Sequence, residues 1–174
     1  LNKEVIDELR MNAVFSSSKD YCLLPEQSIS ICTAEALEKI YYAHEFIQGH
    51  LCVTIGNMIS QKHLESELLK PEGGPDEEYV NCNQLGIDLI LVDEAHRYKN
   101  LIRKATGTSS EFTNLGFGTS SSRAIKMLAL TDYVHLYNQG KNVFFLTATP
   151  FTNSPMEIYS MLLFVGGLEL KKMG

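Results

Sequence analysis

The feature that most constrains this chain is a short apolar run that ends abruptly in two acids, Ile87-Asp88-Leu89-Ile90-Leu91-Val92 followed by Asp93 and Glu94. From Ile87 to Val92 the run is almost unbroken, rich in branched side chains and too brief for a buried helix, which predicts a central parallel strand covered on both faces. That is the signature of an α/β fold with a mostly parallel sheet flanked by helices. Charge beside a core is costly unless something binds it, so two carboxylates at the strand's carboxyl end need a reason. In open α/β sheets that edge is where ligands sit. A carboxylate there can hold Mg²⁺, often through water, and its neighbour can orient or deprotonate a water that attacks a phosphate. A strand that simply ends in solvated acids would read the same over those two residues. Ala95 and His96 narrow the choice, because a small residue lets the backbone turn tightly and an imidazole adds a switchable donor or acceptor.

Asp93-Glu94-Ala95-His96 resembles the second motif of the superfamily-two helicases, and Asp93 to Asn100 looks like its Swi/Snf-type version. Downstream, Leu146-Thr147-Ala148-Thr149-Pro150-Phe151-Thr152-Asn153-Ser154 is similar to motif III of the same enzymes. Further matches are Gln84-Leu85-Gly86, Tyr98-Lys99-Asn100-Leu101, Gly116 to Ser120 with Arg123-Ala124, and Met156-Glu157-Ile158-Tyr159. Together they look like the Swi/Snf-like helicases of phages and mobile elements, often fused to DNA methylase domains. The resemblance covers residues 84 to 165.

It implies a partial RecA-like three-layer fold, a fragment of the first lobe of an ATP-dependent DNA helicase or translocase. Asp93 would be the Mg²⁺ partner and Glu94 the base for the attacking water, the two together facing ATP and its metal. His96, Thr147 and Thr149 would link hydrolysis to motion, since each threonine hydroxyl both donates and accepts a hydrogen bond. Arg97, Lys99, Asn100, Arg123 and Asn153 would extend the motifs toward nucleic acid. The implied partners are DNA, a second helicase lobe, and a phosphate-binding segment of the same parent protein.

That last segment is absent from the chain. A phosphate-cradling loop reads Gly, four residues, Gly-Lys and then Ser or Thr, and here Gly140-Lys141 is followed by Asn142 ahead of a strand. The chain alone is therefore expected to bind ATP weakly and to hydrolyse it negligibly. Two rivals remain: a non-catalytic DNA- or protein-binding module that retains the fold, and a metal-dependent hydrolase acting through Asp93 and Glu94. The second is disfavoured because no further ligand cluster accompanies those acids.

At 174 residues there is room for one ordinary α/β domain. We expect a piece of a larger cytoplasmic protein, with a divergent acidic part over 1–80 and a motif-bearing part over 81–174. No apolar run reaches membrane-spanning length. Net charge is −6, distributed as −8 over 1–80 and +2 over 81–174, so any phosphate contact belongs to the second part. Arg97, Lys99, Arg103 and Lys104 cluster just after the acids, which suits either phosphate contact or a solvated helix face. Cys22, Cys32, Cys52 and Cys82 form no close pair, which predicts reduced, mostly buried thiols.

Spacing predicts a helix over 1–15, short strands at Tyr21–Leu24 and Ile29–Cys32, and a helix capped by Thr33 that runs to about Gln48. His50 to Ile55 alternates and branches like a strand, and Met58 to Leu69 suits a helix. Gly56-Asn57 reads as a turn, with Asn57 a weak candidate DNA contact by resemblance. Pro71 to Glu78 is an acidic, breaker-rich loop. Residues 105–122, rich in Gly, Ser and Thr, read as a spacer or as a loop tied to DNA or the second lobe. Helices are predicted over Ala124–Tyr137 and Met156–Val165, the latter capped by Ser154-Pro155 and ended by Gly166-Gly167, with a second buried strand over Asn142–Leu146.

Overall fold

A computed structural model describes residues 11–14, 28–55, 58–73, 78–104, 117–118, 120–150 and 155–172. The chain divides into two compact units, Leu1–Ala43 with Leu69–Gly86, and His44–Leu68 with Ile87–Gly174.

In the first unit β1 (Met11–Val14) pairs in parallel with β2 (Ile29–Cys32), Met11 lying opposite Ile29. The helix expected over 1–15 is thus a strand at its end, where a ladder partner supplies the backbone bonds that a helix would make internally. The rest of that stretch, and Tyr21–Leu24, lie outside the described residues. Thr33 caps a helix as expected, its Oγ1 accepting from Ala36 N at 3.4 Å. That helix, α1 (Ala34–Leu37), stops after a single turn instead of reaching Gln48. Val80 N donates to Lys39 O at 3.0 Å, drawing the chain into β3 (Ile40–Tyr41), parallel to β4 (Val80–Asn81). Asn81 then closes a capping box with Gln84 around a 3₁₀ turn, Cys82–Gln84. Burial pushes the Cys82 thiol up to about 12, against a smaller lowering by a hydrogen bond with Tyr42. It is an inert core thiol, whereas Cys52 is half-buried and Cys32 exposed.

The second unit opens with helix where a strand was expected at His50–Ile55. Helix α2 (His44–Phe46) runs into a π-helical turn, Ile47–Leu51, and then α3 (Cys52–Ile55). Ile47, Leu51 and Ile55 recur every four residues and are all buried, so one helical face enters the core and overrides the strand preference of branched side chains. Helix α4 (Gln61–Leu68) adds Leu64 and Leu68 to the core.

The long helix α5 (Ser122–Tyr137) starts at Ser121, whose Oγ accepts from Ala124 N at 3.2 Å. Its buried residues include Asp132, which meets His50 Nε2 at 3.3 Å. Burial holds the nearby His135 imidazole below its ordinary range, against a smaller upward pull from Asp132. Pro155 opens α6 (Pro155–Lys172) as predicted. Gly166 leaves helical geometry (φ −154°, ψ 26°), so the expected stop is a kink after which the helix resumes.

The second unit also holds a parallel pair, β5 (Ile90–Val92) and β8 (Val143–Phe145). A shorter antiparallel pair joins β6 (Arg103–Lys104) to β7 (Phe117–Gly118). The fold class is α/β, mixed helix and strand with short parallel sheets flanked by helices. Among the described residues, the expected central strand has cover on one face alone, and β5 pairs with β8 in a two-stranded sheet. On the packed side Val92 is buried and the Phe145 ring stacks on Phe164 at 5.2 Å. On the other, Leu91 is 62% and Phe144 51% exposed, with Leu89 and Leu146 open beside them. An unbroken apolar run marks a strand built for two cover layers, but it carries no information about where the second layer comes from. Among the described residues, no helix is long and apolar enough to cross a membrane.

Candidate functional site

The register of the parallel pair, Ile90 opposite Val143 and Val92 opposite Phe145, brings both strands to an end at one edge. Two bonds carry the ladder past the strands. Leu146 N donates to Val92 O at 2.8 Å, and Ala95 N donates to Leu146 O at 3.0 Å. The acids after β5 and the threonines after β8 therefore leave the sheet side by side.

The first exit turns sharply. Glu94 sits in the left-handed region (φ 51°, ψ 43°), a conformation that costs a residue with a Cβ about 1–2 kcal/mol. Asp93 supports the turn, its Oδ1 accepting from Glu94 N at 2.9 Å. Both acids are exposed. Glu94 Oε2 lies 3.1 Å from His96 Nδ1, a buried ring atom that makes no hydrogen bond, so the contact is an electrostatic approach. A 3₁₀ turn, Ala95–Tyr98, comes next, with Ala95 and Tyr98 buried and Arg97 exposed.

The second exit is more open. Thr147 is half-buried and its Oγ1 accepts from Thr149 N at 3.2 Å, while Ala148, Thr149 and Pro150 are exposed.

The residues expected to extend the motifs have divergent surroundings. Lys99 turns inward, Nζ 3.3 Å from Glu157 Oε2, the two side chains 14% and 8% exposed. Asn100 is half-buried and its carbonyl accepts from Ser121 N at 3.2 Å. Arg123 is half-buried on the first turn of α5. Asn57, Asn153 and most of the Gly/Ser/Thr-rich segment lie outside the described residues. Among the described residues, no group of three or more His, Cys, Asp or Glu side chains is arranged to hold a metal ion.

Sequence reasoning gave Glu157 on α6 no role beyond its place in a motif match, and missed Ser160. Ser160 is fully buried, its Oγ accepting from Ile102 N at 3.1 Å and donating to Met156 O at 2.9 Å. A lone acid within the apolar stretch Met156–Val165 was the available signal, since a buried carboxylate requires a partner.

The chain is 31% identical over 86 residues to the Defense against restriction protein B of Escherichia phage P1, a match covering 49% of this chain and 4% of that protein. It thus spans only a small fraction of that relative's length. No solved structure matches it. A family described as probable helicase domain matches residues 58–174, a span that includes both strand exits. By that match the chain belongs to the probable helicase domain family.

Proposed function

We propose that residues 81–174 are the motif-bearing part of the first RecA-like lobe of a superfamily-two, Swi/Snf-like DEAH helicase or translocase, driven by ATP and acting on DNA. The observation that carries this reading is the pair of strand exits tied in step by the Ala95 N to Leu146 O bond at 3.0 Å. A sheet edge with carboxylates on one exit and hydroxyls on its neighbour suits a site that senses a phosphate and passes the event on.

The donor set fits magnesium better than a caged metal. Asp93 offers one exposed carboxylate, held by the Glu94 amide, with no dense ligand cluster near it among the described residues. Mg²⁺ is commonly bound through one or two carboxylates, with waters and substrate phosphates completing its shell. When bound, such an ion neutralises charge on the phosphates. Glu94 then orients the attacking water and accepts its proton, with the His96 ring beside its Oε2 at 3.1 Å. Thr147 and Thr149 report the state of the site to the rest of the motor. Arg97, Asn100, Arg123 and Asn153 are our candidates for nucleic-acid contact, and Lys99 is assigned to its ion pair.

Substitution Glu94→Gln in the full-length protein tests the reading. DNA-stimulated ATP hydrolysis should fall by about 10²–10⁴-fold, the range typical of a lost general base. A non-catalytic module predicts no change. The 174-residue chain alone should show no nucleotide binding by calorimetry in the micromolar range, and a micromolar dissociation constant would refute the missing phosphate grip.

A further inference from the structure

Two contacts run from the segment after the acids to the helix after the threonines. The Lys99 ammonium meets the Glu157 carboxylate at 3.3 Å, and Ile102 N donates to Ser160 Oγ at 3.1 Å. The spacing matches on both sides: 99 and 102 are three residues apart, as are 157 and 160, so one face of α6 receives both. Each exit is thereby continued into the same strut, one through the 3₁₀ turn and the other through the start of α6 at Pro155.

A buried lysine–glutamate pair is a poor source of net stability, since an apolar pair of similar volume does as well or better. Its value is directional. An ammonium and a carboxylate removed from water hold one separation, and losing either leaves the other uncompensated. We propose that Lys99 and Glu157, with Ser160 as the second point of attachment, are positioning residues that transmit displacement between the acidic turn and the threonine turn. They touch neither nucleotide nor nucleic acid in this scheme. It depends on the motor reading above and goes beyond it by assigning coupling to a buried ion pair rather than to the acids, His96 or the threonines.

The test uses the full-length protein, with Glu94→Gln as the control for the motor reading itself. If that control keeps DNA-stimulated hydrolysis, the motor reading fails and the strut with it. With the control inactive, three variants bear on the strut alone. Lys99→Met takes the ammonium away from a buried carboxylate and should lower the thermal midpoint. The double variant Lys99→Met/Glu157→Leu should recover that midpoint and keep the KM for ATP, yet lose at least about tenfold in DNA-stimulated kcat, within the usual range of coupling between sites. The exchanged pair, Lys99→Glu/Glu157→Lys, should regain part of the lost stimulation, which packing alone would not. Stimulation within about twofold of wild type in the apolar double variant, or no advantage of the exchanged pair over it, would overturn the proposal.

Discussion

The exits of β5 and β8 begin as near equivalents: parallel, adjacent, and ending at the same edge. They then diverge. After β5 the chain enters the core at once, with Ala95, Tyr98, Leu101 and Ile102 all buried within ten residues of Val92. After β8 the described residues Leu146 to Pro150 are exposed apart from the half-buried Thr147, and a local bond between Thr147 and Thr149 closes their turn. Neighbouring segments of one sheet edge can thus differ in burial, the first followed at once by core residues and the second open over its described residues.

The largest effect that could break this contrast lies in the anchor. Leu101→Ala removes a fully buried side chain and should cost about 2–5 kcal/mol in chemical denaturation. A loss near zero would mean that the first exit is not held from within. Next is the strained residue of the anchored turn. Glu94→Gly relieves the left-handed backbone and should stabilise the fold by about 1 kcal/mol, with hydrolysis lost in the full-length protein. Destabilisation instead would show that the Glu94 side chain stabilises the turn by more than its backbone costs. The smallest effect belongs to the open exit: Thr147→Ala removes a partly solvated hydrogen bond and should cost no more than about 0.5–1 kcal/mol. A much larger cost in the same titration would erase the distinction between the two turns.

The sequence made the two exits legible because a buried strand that stops at charge or hydroxyl is a local pattern. Asp93, Glu94, Thr147 and Thr149 emerge at the ends of β5 and β8. The helix that occupies His50–Ile55 was hidden by a competing signal. Alternating branched residues favour a strand, but Ile47, Leu51 and Ile55 also share a helical face, and packing decided between them. The strut was illegible for a different reason: Ile102 and Ser160 are 58 positions apart, and nothing in local spacing pairs an amide with a hydroxyl at that distance. The left-handed backbone at Glu94 carried no sequence mark either, since glutamate has no special liking for that conformation.

The open face of the β5–β8 pair has a practical consequence. Leu89, Leu91, Phe144 and Leu146 present a band of hydrocarbon to water, and a free chain in solution carries that band into every encounter with another molecule. The behaviour of a concentrated sample will be set by this surface before it is set by the strength of the interior. Light scattering against concentration, repeated after Leu91→Lys, reads that colloidal cost directly.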